Sequence, residues 1–210
     1  MKKLILPIIA IFLGIALARS ATAQTVTNFE FDTVNWVLPE NYEIAEFEGE
    51  QALLIENNAS NNIDPYAYLK DYEFTDGIIE FDMFCPQSYA YVGFLFRLNQ
   101  HNNEDRYELF YFSPFQSNTP QAIHYFPVNN GIAWFQYYMD NIYFSKANIP
   151  YNVWMHVKAE VAGPRVIVYI DDEQIMTVNN LGRGLSKGSV GFWIDSTTLK
   201  CYYANFKITI

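Results

Sequence analysis

Arg97, Tyr107 and Glu108 are the first side chains in this sequence that could do chemistry together. In "GFLFRL" Gly93, Leu95 and Arg97 fall on one face of an extended segment, because side chains alternate along a strand. In "RYELFYF" Glu108, Phe110 and Phe112 share a face. If the two segments pair, Arg97 and Glu108 can approach each other. A guanidinium beside a carboxylate offers a planar donor fork and an acceptor, suited to sugar hydroxyls or to positioned acid–base work. A plain ion pair holding a sheet is the competing reading.

His124 in "QAIHY" is the second candidate, since imidazole changes charge near neutral pH and is the usual general base. The third is aromatic. Residues 107–144 hold 13 of the chain's 37 Phe, Tyr and Trp, a density that singles this stretch out as a stacking surface. Within it Trp134 and Tyr138 are expected to lay ring faces on the C–H face of a pyranose, with N–H and O–H reaching hydroxyls. A sandwich core would claim many of the other rings.

Two acidic turns, Asn102 to Asp105 and Asp171-Asp172, supply oxygens of the kind a structural calcium needs, although solvated turn residues look the same. Cys85 and Cys201 are the only cysteines. They form either a disulfide closing a long loop or two buried thiols on strands. His101 and His156 have no informative context.

Many short β-rich runs must position these groups. No segment keeps an apolar period of 3.6 over a dozen residues. Strands are expected at 52–56, 66–69, 78–84, 90–98, 107–112, 122–126, 132–138, 142–145, 154–161, 165–170, 173–178, 189–194 and 201–210. Asp171-Asp172 and Gly163-Pro164 are turn signals inside a three-stranded meander from Trp154 to Val178. Val166, Val168 and Ile170 oppose Ile167 and Tyr169, both sets apolar, which predicts a strand with neighbours on both sides. Short strands with turns between them and no crossover helices predict an all-β, two-sheet antiparallel sandwich of jelly-roll type.

The first 23 residues read as an address. Lys2 and Lys3 precede an apolar run from Leu4 to Leu17, and Ala21-Thr22-Ala23 follows as a cleavage signal. The expectation is a secretory signal peptide at 1–23 and one domain at 24–210, secreted or periplasmic. The run is shorter than the ~20 residues a spanning helix needs. Without this leader, 10 Lys and Arg face 23 Asp and Glu, a net charge of −13. That argues against nucleic acid, whose phosphates are bound through Lys and Arg, and against anionic membrane surfaces.

The order of the pieces carries a resemblance: "YAYLKDYEFTDGIIEFDM", "YVGFLFRL", "RYELFYF", "YNVWMHVKAEVAGPRVIVYIDDEQI", "SKGSVGFWI" and "YYANFKITI". Over roughly residues 28 to 210 the chain resembles the concanavalin A-like lectin/glucanase superfamily, nearest to its laminin-G-like and 3-keto-disaccharide hydrolase-type domains. The resemblance implies two curved sheets whose concave face commonly takes carbohydrate. It does not imply catalysis, because the fold hosts lectins, lyases, hydrolases and non-catalytic modules. A similar Arg and Tyr-Glu occur in the hydrolase-type domains. Laminarinase-type members use Glu-x-Asp-x-x-Glu; here Glu80-Phe81-Asp82 ends in Cys85, so the second glutamate is missing. Alginate lyases of the superfamily carry Gln-x-His, which Gln121 to His124 exceeds by one residue, and the acidic chain suits a polyuronate badly.

The expected function is carbohydrate binding on the concave sheet through Arg97, Tyr107, Glu108, His124, Trp134 and Tyr138. The alternatives are a glycoside hydrolase with Glu108 and His124 as acid and base, and a non-catalytic protein-interaction module.

Overall fold

The structure is a computed structural model that describes residues 24–57, 64–101, 104–130, 132–182 and 184–210. The expected signal peptide lies outside the described residues. In chain order the strands are β1 (Val26–Asn28), β2 (Trp36–Val37), β3 (Tyr42–Phe47), β4 (Glu50–Glu56) and β5 (Tyr66–Leu69). Next come β6 (Gly77–Phe84), β7 (Val92–His101), β8 (Glu104–Phe112), β9 (Ile123–Asn129), β10 (Ile132–Ala133) and β11 (Phe144–Ser145). The chain closes with β12 (Trp154–Ala162), β13 (Arg165–Ile170), β14 (Glu173–Val178), β15 (Ser189–Ile194) and β16 (Lys200–Thr209).

They form two antiparallel sheets. The first runs β14-β13-β12-β6-β16-β4-β3, with β1 also on β16. The second runs β10-β9-β8-β7-β15-β5-β2, with β11 also on β9. Sequence neighbours pair through tight turns. Glu48 and Gly49, at φ 47° and 87°, join β3 to β4, and Asp171 and Asp172, at φ 47° and 66°, join β13 to β14. Two successive positive φ values are what a two-residue hairpin needs to match strand twist.

The two sheets bury an interior in which aromatic rings interlock among Leu, Ile, Val, Ala and Met side chains. Phe94 stacks on Phe110 with ring centroids 5.4 Å apart, Phe81 meets Phe192 edge-on at 5.1 Å, and Phe192 stacks on Tyr203 at 4.2 Å. Each of these side chains is fully buried. Burying one is worth on the order of 2–3 kcal/mol, so the rings on inward positions of β6, β7, β8, β15 and β16 clamp the layers together.

The expected long strand at 132–138 is shorter than its pattern suggests. β10 stops at Ala133, and Phe135–Tyr137 forms a single 3-10 turn. The Trp134 amide donates to the Pro127 carbonyl at 3.2 Å and the Tyr137 amide to the Trp134 carbonyl at 2.9 Å. The segment therefore folds over the sheet instead of extending it.

Candidate functional site

Register builds the outward face of the second sheet in rows. One row reads Tyr66 (β5), Trp193 (β15), Gly93 (β7), Tyr111 (β8), His124 (β9) and Phe144 (β11). The next reads Val37 (β2), Tyr68 (β5), Gly191 (β15), Leu95 (β7), Leu109 (β8) and Phe126 (β9). Gly93 has no side chain, and a Cβ there would sit 2.0 Å from the Phe110 carbonyl oxygen. The rings of Trp193 and Tyr111 come to 6.5 Å on either side of it. Tyr107 adds a further ring, 6.1 Å from Tyr66. The face is thus apolar and rich in rings, and much of it is covered: Leu95, Tyr107, Leu109, His124, Phe126 and Trp193 are buried, while Tyr66, Tyr68 and Tyr111 are half-buried.

At the β5 end this surface opens on a cleft of about 360 Å³, lined by Leu38, Glu40, Asn41, Glu56, Asp64, Tyr66, Tyr68 and Gln100 among others. Tyr66 and Tyr68 are half-buried, with rings 5.9 Å apart. Their hydroxyls are fixed: Tyr66 donates to Asp105, and Tyr68 donates to Gln100 Oε1 at 2.8 Å. Burial and the Asp105 carboxylate push the Tyr66 phenol well above its ordinary value, so it stays a neutral donor. Asp64 accepts the Ser196 amide at 2.8 Å. The indole N–H of Trp193, a residue only 4% exposed, faces the same carboxylate without closing a hydrogen bond of its own. Desolvation pushes the Asp64 carboxyl above the usual range, and nearby Asp195 adds to the rise.

The residues expected from sequence fall into two groups. Tyr107 and His124 lie on this outward face, Trp134 follows β10 beside it, and Tyr138 packs where its ring meets both this face and the inward Tyr125. Arg97 and Glu108 do not lie on this face. The expected approach of Arg97 to Glu108 fails for two reasons. First, Gly93 and Leu95 point outward, whereas Glu108, Phe110 and Phe112 point into the sandwich, so the two sets sit on opposite faces. Second, a bulge between Phe96 and Asn99 puts Arg97 at φ 53° and turns it off its alternation. Arg97 is 2% exposed. Its guanidinium donates to the Thr75, Gly163 and Leu185 carbonyls at 2.8–3.2 Å and pairs with Asp76 at 2.9 Å, tying the end of β7 to turns of the other sheet. Glu108 is fully buried and accepts the Tyr125 hydroxyl at 2.7 Å.

His124 is 2% exposed and covered by the segment after β10. Its Nε2–H donates to the Tyr138 carbonyl at 2.8 Å, and Nδ1 accepts from the Tyr111 hydroxyl at 3.3 Å. Phe144 stacks on the ring at 3.8 Å. Burial pulls the imidazole down to about 4, so it is neutral at physiological pH. Tyr138 lies edge-on to Tyr125 and Tyr143. Its hydroxyl lies 1.7 Å from where a Cβ on Gly182 would be, so the ring end packs directly on that loop's backbone. Trp134 is half-buried, 5.2 Å from the exposed ring of Tyr137.

Of the two readings left open for Cys85 and Cys201, the structure has the second: both are free, buried thiols and no bridge joins them. The pairing of Tyr202 with Phe84 brings the two strands' cysteines close, but Cys85 donates to the Gln87 carbonyl and Cys201 to the Phe84 carbonyl. Among the described residues no group of three acidic, His or Cys side chains is gathered to hold a metal. Asn102 and Asn103 of the expected calcium loop lie outside those residues. Glu104 pairs with Arg106, Asp105 takes Tyr66, and Asp171 takes the His156 amide.

Sequence reasoning missed the cleft, although Tyr66-x-Tyr68 on a strand signals two rings on one face. It also missed a polar cluster on the outward face of the first sheet. There His156 Nδ1–H donates to Asp82 at 2.6 Å, and Asn205, set at φ 53° by a bulge in β16, donates to the other Asp82 oxygen at 2.7 Å. The Asp82 bond holds His156 above its ordinary value. Burial works against the Asp82 charge, but the bonds from His156 and Asn205 outweigh it and keep the carboxyl low.

No family model and no curated protein matches the chain. Solved structures do. A carbohydrate binding module, CBM66, from Bacillus subtilis is similar at TM-score 0.58 and 17% identity, over 83% of this chain and 95% of that one. A native glycosidic hydrolase is similar at TM-score 0.61 and 11% identity, over 92% and 98%. A prokaryotic beta-1,3-1,4-glucanase (lichenase) derived from a mouse hindgut metagenome is similar at TM-score 0.58 and 10% identity, over 90% and 99%. The chain has the concanavalin A-like lectin/glucanase fold.

Proposed function

We propose that this protein binds carbohydrate on the outward face of its second sheet, at the Tyr66–Tyr68 cleft. The observation that carries the reading is a pair of half-buried tyrosine rings on a cleft whose other polar groups are side-chain amides and carboxylates. Tyr66 and Tyr68 offer ring faces to the apolar side of a pyranose, while Asp64, Asn41 and Gln100 are within the same cleft to meet hydroxyls. Trp134 and Tyr137, over the β9 end, extend the stacking surface for further sugar units. Similar structures described as a carbohydrate binding module and as a carbohydrate recognition domain support this use of the fold. An open cleft of this kind binds weakly, with dissociation constants of micromolar to millimolar, roughly −4 to −8 kcal/mol.

Catalysis by Glu108 and His124 is the weaker reading. One is inside the sandwich and the other is a covered, neutral imidazole, so neither can reach a glycosidic oxygen on this face. The test is a glycan array with a product assay on the purified protein, with and without chelator. Retention without turnover supports binding. Turnover that survives Glu108→Gln and His124→Gln would move the reading to a hydrolase built on other acids.

A further inference from the structure

Cys85 and Cys201 meet where two central strands of the first sheet pair. β6 and β16 run antiparallel, with Asp82 opposite Ala204, Met83 opposite Tyr203 and Phe84 opposite Tyr202. One step further in that register sets Cys85, the residue after β6, opposite Cys201. Both side chains point inward: Cys85 continues the buried series of Phe81 and Met83, and Cys201 that of Tyr203. They are 2% and 0% exposed. Cys201 Sγ lies 3.5 Å from the carbonyl oxygen of Phe84, the neighbour of Cys85. Directly opposite residues of an antiparallel pair have Cα atoms about 4.5–5.5 Å apart, inside the roughly 4.4–6.8 Å that a disulfide spans. Among the described residues no third acidic, His or Cys side chain joins the two thiols to make a metal site.

We propose that Cys85 and Cys201 are a redox pair whose state is fixed as the protein folds: a disulfide oxidant bridges them while the core is open, and closure of the sandwich then shields the bond, or the two thiols, from further exchange. One cysteine, as thiolate, attacks a sulfur of the oxidant RSSR, forming a mixed disulfide and releasing RSH. The second cysteine attacks the protein-side sulfur of that bond, closing the bridge and releasing the second RSH. The chain loses two electrons and two protons, and the oxidant gains them. The bond closes a loop of more than a hundred residues between the two positions. Burial holds both thiols protonated in the closed sandwich, so neither supplies the attacking thiolate there. The pair lies in the interior and does not depend on the carbohydrate reading.

The test starts from the full protein purified with its thiols reduced. One portion is held folded in a buffer of oxidised and reduced glutathione. A second is held in the same buffer just below the urea midpoint, where the protein opens and recloses. Free thiols counted after unfolding, together with intact mass, report the outcome. The folded portion keeps two thiols over hours. The urea portion loses both, is about 2 Da lighter and carries no glutathione. Freed of urea, the bridged protein melts roughly 10 °C above the reduced form, as closure of so long a loop would give. Cys201→Ala in urea stops at a glutathione adduct on Cys85. Two thiols or two glutathione adducts on the opened wild type overturn the pairing. A bridged protein that melts at or below the reduced form also overturns it, since the native register then rejects the bond. Bridging of the folded portion as fast as the opened one overturns the lock that folding imposes.

Discussion

The Tyr125 hydroxyl donates to Glu108 Oε2 at 2.7 Å inside the sandwich, and the Tyr125 hydroxyl oxygen accepts the Gly182 amide at 2.6 Å. A buried carboxylate, a buried phenol and a loop amide are thereby tied together, and the loop at Gly182 is anchored against Tyr138. Burial, with the Glu108 charge and bond behind it, pushes the Tyr125 phenol far above its ordinary value, so it remains a donor at any working pH.

Removing Glu108 should therefore act on stability. Glu108→Ala strips the Tyr125 hydroxyl of its acceptor and opens a cavity, and should cost about 3–5 kcal/mol. Arg97→Ala should cost a similar amount, because it leaves Asp76 and the carbonyls of Thr75, Gly163 and Leu185 without their donor. Denaturant melts measure both. Near-wild-type midpoints with lost glycan retention would return these two residues to the binding site.

His124 should make the fold acid-sensitive. Its folded value, about 4, lies below the unfolded value near 6.5, so the unfolded chain takes up a proton first as pH falls. Stability should drop between about pH 6.5 and 4, by on the order of 3 kcal/mol. His124→Gln keeps a donor for the Tyr138 carbonyl and should flatten that part of the curve. An unchanged slope in the variant's thermal melts would contradict the buried, neutral imidazole.

The Asp82–His156 pair should work in the opposite sense. His156 is raised, so its contribution is complete below its unfolded value and fades as pH climbs through the folded one. Asp82 is lowered, so its share is lost only in stronger acid. His156→Gln should destabilise the protein more at pH 5 than at pH 8. A loss independent of pH, followed by the same melts, would show that the ring acts through packing alone.

The thiols should be inert while the protein is folded. Burial pushes Cys85 up to about 11 and Cys201 well above its ordinary value. A colorimetric thiol reagent should find none in the native protein and two after unfolding. Rapid native reaction would place at least one sulfur at the surface.

Much of the frame was legible in the residues. β5, β13, β14 and β15 have the bounds that their patterns and turns suggested: each is flanked by turn residues, the first three bury one face more than the other, and β15 is a short apolar run buried on both. β3 was not, since Tyr42–Phe47 mixes exposed and half-buried residues at a sheet edge, although Glu48-Gly49 marks its hairpin. Period-two reasoning correctly grouped Glu108 with Phe110 and Phe112. It could not say which face looks inward, because both faces of β8 are apolar, and it had no signal for the bulge at Arg97. The cleft joins residues from β2 to β7, and a single-strand pattern does not show which strands become neighbours.

Glycan-array retention of the wild-type protein against Tyr68→Ala tests the account most directly. Tyr68 is half-buried at the cleft and its hydroxyl bonds only at the surface, so its loss should move the melting temperature little. Retention of wild type on at least one glycan, weakened about tenfold or more in the variant, is the expected result. Equal retention by both proteins, or none by wild type, would contradict it.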